Sequence, residues 1–316
     1  MRGINAAARR SRRLTVDNKI TKTRLNDHLS YDWGKYFGLI AAAVFLLAFV
    51  FTVTAPRLSK GQTLEIYLLG RGYGTAATNA SADILGVLTP GETFEVSIQA
   101  YDLTDPNMQQ AYSVRIAAGE GDIMVGTRPT LLGAVDNGIF APLGDELAAA
   151  AALSDFDGDT QAGRDEFKAF SGKKYKEKDA EKLLRDLAAE NARRAHYRQN
   201  AVKLLGYLEL IPELKVEYAR GTLYNSLIES GDLTGDPMTV GESKLWAVSF
   251  EPLIAAMAEN GFIYPKENPT EEEIEAGENV FGIGLVGFKP ANEPYFYETL
   301  AVINHLIEKY AGSALD

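Results

Sequence analysis

The sequence predicts an α/β domain on a parallel, doubly wound sheet, preceded by a single N-terminal transmembrane helix. Three observations carry this. An uncharged apolar run stands at Tyr36 to Thr54. From Leu64 onward, short β-type runs alternate with helical stretches, the pattern of a parallel sheet with crossover helices. Residues 57–316 are also long enough for one large or two small domains with a substantial core.

The apolar run divides the chain into a basic tail (1–35), a span (36–56) and an exterior domain (57–316). It is nineteen residues long, YFGLIAAAVFLLAFVFTVT, apolar on all sides rather than on one stripe. As a helix it reaches about 28 Å, close to the hydrocarbon core of a bilayer. The tail carries nine Lys or Arg against Asp17, Asp27 and Asp32, a net +6. The positive-inside rule then puts the amino end in the cytoplasm and the large domain outside, with the lipid bilayer as first partner. Pro56, directly after the small-residue Val53-Thr54-Ala55, argues against signal-peptide cleavage.

The whole chain has a net charge of −11, which leaves −17 on the part beyond the tail. Such an acidic exterior excludes nucleic acid as a partner. The absence of cysteine removes disulfides, thiol chemistry and Cys-based metal sites.

Leu64 to Leu69 reads as a buried first strand and Phe94 to Tyr101 as an alternating second one. Asp105-Pro106 opens a helix to about Ala118, as N-cap and first helical residue. Asp122 to Gly126 is a third strand, and Pro129 to Asn137 another helix. A helical segment over 145–210 follows: a helix at Asp145–Leu153, an acidic loop, and a long helix at Asp179–Leu208. On that long helix Leu183, Leu184, Leu187, Val202 and Leu205 make the apolar side. Later strands fall at Lys215–Ala219, Lys244–Phe250 and Val280–Phe288, with a helix at Leu253–Asn260, an acidic linker at Pro269–Glu278 and a closing helix at Pro294–Tyr310.

Two stretches resemble a known family. Ala117-Ala118-Gly119-Glu120-Gly121-Asp122-Ile123 and Asn137-Gly138-Ile139-Phe140-Ala141-Pro142-Leu143 are similar to segments of bacterial extracellular solute-binding proteins of the two-lobed periplasmic type. The glycine-bearing strand Phe281-Gly282-Ile283-Gly284-Leu285 and the closing helix fit the family's order. The resemblance implies two lobes that close by a hinge on a small-molecule solute, with delivery to an ABC permease and no catalysis. The alternative is a surface interaction or accessory subunit that keeps the fold without transporting.

The acidic loop Asp155 to Glu166 carries the sharpest chemistry. Asp155, Asp157, Asp159, Gln161 (through its backbone carbonyl) and Glu166 stand at positions 1, 3, 5, 7 and 12 of a calcium loop. The run resembles EF-hand and dockerin loops, with Thr160 where they carry glycine, and implies a bound calcium clipping two helices together.

Three residues are ligand-binding candidates. Arg71 and Tyr73, in Gly70-Arg71-Gly72-Tyr73-Gly74, follow the first strand, where open parallel sheets bind ligands. Trp246 lies on a later strand and could stack on a ring. His28, His196 and His305 share no metal-ligand or triad spacing, so no catalytic set is expected.

Overall fold

A computed structural model describes residues 63–88, 95–287 and 297–312, with helical residues at 22–23, 37 and 40–47. The chain divides into two units, Met1–Arg57 and Leu58–Asp316.

In the first unit the longest described stretch is the helix over 40–47, which exposes Ile40, Val44, Phe45, Leu46 and Leu47. Among the described residues no helix is long and apolar enough to cross a membrane. This corrects the expected span over 36–56, and the cell-membrane, single-pass placement that rested on it falls too. Positions 36, 38–39 and 48–56, and most of the tail 1–35, lie outside the described residues.

The second unit is α/β. Its first strands are β1 (Thr63–Leu69), β2 (Glu95–Tyr101), β3 (Ile123–Thr127) and β4 (Phe140–Ala141). The chain then supplies β5 (Lys215–Ala219), β6 (Ser243–Ser249) and β7 (Phe281–Val286). One sheet holds them in the order β2-β1-β3-β7-β6-β5, with β4 paired to the far end of β7. β2-β1-β3 is parallel, while β3-β7, β7-β6 and β6-β5 are antiparallel. Two expectations are corrected here. The later strands do not extend a parallel sheet, and they do not found the separate sheet of a second lobe.

Between the strands lie α1 (Thr75–Thr78), α2 (Ser81–Leu85), α3 (Pro106–Ala117), α4 (Arg128–Asp136) and α5 (Leu143–Ala152). Then come α6 (Gln161–Ser171), α7 (Ala180–Leu210), α8 (Thr222–Ser230), α9 (Ile254–Glu259), α10 (Glu271–Ala276) and α11 (Thr299–Ala311). α3 starts as its sequence dictates: Asp105 accepts a 2.8 Å bond from the Asn107 amide, and Pro106 holds the first turn.

Strand alternation sorts side chains onto two cores. Leu64, Ile66 and Leu68 face one side, with Ile123, Val125, Ile283 and Leu285, beneath Leu204 of α7 and Ile303 of α11. Tyr67, Leu69 and Met124 face the other, beneath Leu131 and Val135 of α4. On this second face β7 presents Gly282 and Gly284. A Cβ on Gly282 would lie 3.0 Å from Leu131 Cδ1, and one on Gly284 would lie 2.7 Å from Phe140 Cζ. The glycines therefore make room for α4 and β4 to close on the sheet.

In β6 the alternation slips. Val216 opposes Ala247 and Glu217 opposes Leu245, so Trp246 is the extra residue of a β-bulge. The bulge turns Trp246 and Ala247 to the same core, and the indole Nε1 donates to the Tyr218 carbonyl at 2.9 Å.

α7 buries Leu183, Leu187, Glu190, Arg194, Tyr197, Ala201, Leu204 and Leu208, at spacings of four and three. Leu184, Val202 and Leu205 lie off this stripe, and Val202 is 67% exposed. That corrects the expected apolar side: two charged residues occupy stripe positions that a purely hydrophobic pattern misses. α8 lies in a segment whose pattern predicts no helix. Its entry turn is held from outside, because buried Asp136 at the end of α4 accepts from Gly221 N (2.6 Å), Tyr224 N (2.8 Å) and the Tyr218 hydroxyl (2.8 Å). Burial and the Asp136 bond push the Tyr218 phenol up to about 12.

The glycine requirement of β7 is testable. Gly284→Ala should destabilise the domain by about 1–3 kcal/mol through overpacking against Phe140. Adding Phe140→Leu should recover part of that loss in a double-mutant cycle read by denaturant unfolding.

Candidate functional site

One edge of the sheet brings together the carboxyl ends of β3 and β6 and the amino ends of β7 and β5. Along it Thr127 pairs with Phe281, Gly282 with Ser249, and Val248 with Lys215. Over this row opens a cavity of about 300 Å³, at the lower end of the size range of small-molecule sites. Leu131, Pro212, Val216, Val280, Phe281 and Gly282 supply its apolar lining. Its charged lining is Arg128, Glu213, Lys215, Glu217 and Glu251.

Each charged group is placed by the end of an element. Arg128 opens α4 directly after β3, and its backbone amide donates to the Val280 carbonyl at 2.7 Å. Its side-chain stem lies beside Gly277, where a Cβ would stand 3.2 Å from Cδ. Glu213 lies in the turn before β5, Lys215 and Glu217 on β5, and Glu251 just after β6. Among the described residues none of these five side chains forms an ion pair or a side-chain hydrogen bond. Ser249, buried at the edge, accepts from the Glu251 amide at 3.1 Å and keeps its hydroxyl hydrogen for another acceptor. The site can thus bind polar groups of either sign over an apolar floor.

The residues singled out from sequence are not brought together. Arg71 is exposed and engaged: Nε donates to Asp102 Oδ2 and Nη2 to Thr104 Oγ1, both at 2.7 Å. The Thr104 hydroxyl, followed by the Arg71 guanidinium, lowers the Asp102 carboxyl to about 2. The Tyr73 hydroxyl lies within bonding distance of the Leu69 (3.1 Å) and Val125 (2.9 Å) carbonyls, tying β1 to β3, and burial drives its pKa upward. Its ring meets Phe281 edge-on at 5.8 Å, so it backs the cavity wall without lining the cavity. The glycines around it serve packing. A Cβ on Gly74 would collide with the Gly261 carbonyl, and Tyr73 bridges to Ile263. Trp246 is core on the opposite face from Ile283 and Leu285, not a stacking surface.

The calcium expectation is also corrected. Among the described residues no group of three or more His, Cys, Asp or Glu could hold a metal ion. Several oxygens in and beside the loop already have protein partners, both arginines and amides. Arg198 Nη1 bonds Asp155 Oδ1 at 2.8 Å and the Leu153 carbonyl at 3.0 Å. Arg194 donates to the Ser154 carbonyl at 2.6 Å, and Arg164 to the Gly158 carbonyl at 3.0 Å. Asp157 accepts from the amides of Asp159 (2.9 Å) and Thr160 (3.3 Å), which lower its carboxyl pKa. The Gln161 side chain turns to Asp165, while Asp159 and Glu166 are exposed. The loop backbone also lies against Gly163, where a Cβ would collide with the Asp157 carbonyl. The segment is a helix start capped by Thr160, whose Oγ1 accepts from the Gly163 amide at 3.2 Å.

The lining charges were missed from sequence because a parallel assignment sends the starts of β5 and β7 to the other end of the sheet. Arg128, directly after the third strand, and Glu251, directly after the strand Lys244–Phe250, had a usable signal, because β6 runs in the same direction as β3.

Two outcomes follow. Thr160→Ala should cost about 1 kcal/mol by loss of a helix cap, read as a lower urea midpoint, whereas EDTA should leave the wild-type midpoint unchanged. The folded Asp102 carboxyl titrates below its ordinary range, so its contacts stabilise at neutral pH and fade as pH falls toward about 2. In a carbon-13 NMR titration Arg71→Ala should raise that midpoint and leave it below the ordinary value, since the Thr104 bonds remain. Compared with known proteins, the chain matches no family model, no curated protein and no solved structure, so the likeness to solute-binding proteins rests on the quoted motifs alone.

Proposed function

We propose that the second unit is a non-catalytic receptor for a small polar molecule, held in the cavity where the sheet changes from parallel to antiparallel. The observation that carries this reading is the set of five charged side chains around one apolar-floored cavity that have no ion-pair or side-chain hydrogen-bond partner among the described residues. Sheet edges of this kind are where open α/β sheets take ligands. The reading keeps solute capture from the sequence motifs. Because the strands form one sheet, capture needs no closure between two lobes.

The test is a thermal-shift screen of sugars, amino acids, peptides and polyamines on the full chain. A binder at a hundred times its Kd should stabilise the fold by about 2.7 kcal/mol. Arg128→Trp, which plugs the mouth from an exposed position, should abolish that shift. A screen without shifts, or shifts that survive the plug, would overturn the proposal.

A further inference from the structure

From the layout of charge along the cavity we infer the class of molecule it takes: an elongated zwitterion, anionic at one end and cationic at the other. This rests on the cavity being the binding site.

The sheet order sets the charges in sequence across the edge. Arg128 follows β3 and is the sole charge on that side of the cavity. β7 comes next and contributes only the uncharged Val280, Phe281 and Gly282. Beyond it, β6 and β5 bring Glu251, Glu213 and Glu217, against the one ammonium of Lys215. The site is therefore polarised, a guanidinium at one end and a net negative cluster at the other, over an apolar middle. Neighbouring strands lie about 4.8 Å apart, so β3 and β6 stand roughly 10 Å apart and β3 and β5 roughly 14 Å. Side chains leaning inward bring the charges they meet on a ligand closer than that. Two extended residues span about 7 Å, so a dipeptide, or an amino acid with its amine at the far end of a short chain, fits the polarity. An α-amino acid carries both charges on one carbon and leaves one end of the site unmet. Arg128 can grip a carboxylate with two parallel bonds, whereas the glutamates and the free hydroxyl hydrogen of Ser249 suit an ammonium and a polar backbone.

The experiment is isothermal titration calorimetry on the full chain with alanyl-alanine, 6-aminohexanoate, alanine, hexanoate, hexylamine and maltose. The dipeptide or 6-aminohexanoate should bind at least tenfold more tightly than alanine, hexanoate or hexylamine. Arg128→Gln should weaken the zwitterion and hexanoate tenfold or more while tightening hexylamine. The Glu217→Gln/Glu251→Gln pair should also weaken the zwitterion, but should weaken hexylamine and tighten hexanoate. Both variants lie at exposed positions, and their unfolding midpoints confirm folding. Equal binding of one-charged and two-charged probes, or changes of the same sign in both variants for hexanoate or for hexylamine, would overturn the zwitterion assignment. Maltose binding that Arg128→Trp removes would overturn the ligand class while leaving the cavity reading intact. Responses that persist in Arg128→Trp would overturn both.

Discussion

The second unit depends on one strand arriving from the far end of the chain. β7 enters between β3 and β6, antiparallel to both, and everything beyond the first three strands attaches through it. Its composition suits that position. All six residues are buried, as a strand covered on both faces requires. Gly282 and Gly284 face Leu131 and Phe140, while Phe281, Ile283 and Leu285 fill the opposite core. Larger residues at the two glycines would hold α4 and β4 off the sheet. Smaller ones at 281, 283 and 285 would leave cavities beneath α7 and α11, each costing several kcal/mol in a well-packed core.

A second constraint lies in α7, whose buried stripe contains a glutamate and an arginine where apolar residues would pack. Glu190 accepts from the Tyr297 hydroxyl at 2.5 Å and from Arg194 Nε at 3.3 Å. The Arg194 guanidinium lies 3.7 Å over the Phe156 ring and reaches the Ser154 carbonyl. One charged pair thus joins the closing helix region, α7 and the acidic loop. Its net contribution to stability is small, because desolvation offsets attraction. Its geometric effect is larger: it sets where α6 and its satellite core of Phe156, Phe167, Leu183 and Leu187 sit on α7. The same helix sends Arg198 to Asp155, so the first carboxylate of the loop is already paired within the protein.

How much of this was legible follows from which forces act locally. β1 and β3 stand where their apolar runs place them, β5 falls at its expected bounds, and α3 begins at Asp105-Pro106, because alternation and capping are short-range. Strand direction is not. Nothing in Phe281 to Val286 records that it runs opposite to β3, since a strand buried on both faces is apolar in either direction. The error propagated to the site: reversing the later strands moved Glu213, Lys215 and Glu217 to the edge that carries Arg128. The calcium pattern failed for a related reason. Five oxygen donors at the right offsets describe the loop, but Arg194 and Arg198 lie some forty residues along the chain, and only folding brings them to it. Trp246 was misread because a bulge, invisible in an alternating run, turns it into the core.

Charge on a protein surface is ordinarily uninformative, since exposed ion pairs contribute little and unpaired surface charges cost little. The five groups at the sheet edge differ in their setting. Elsewhere in this acidic domain many carboxylates have found a cation or an amide: Asp83 with Lys309, Asp145 with Lys244, Glu273 with Lys266, Asp102 with Arg71. At the cavity, Arg128 after β3, Glu251 after β6 and the two glutamates of β5 and its preceding turn share one concave surface. Strand spacing sets the backbones of β3, β6 and β5 apart, and among the described residues their charged side chains form no ion pair across the cavity. An apolar floor beneath them lowers the local dielectric and strengthens the field each charge projects into the cavity. A ligand long enough to touch both ends would satisfy charges that, among the described residues, have no partner within the protein.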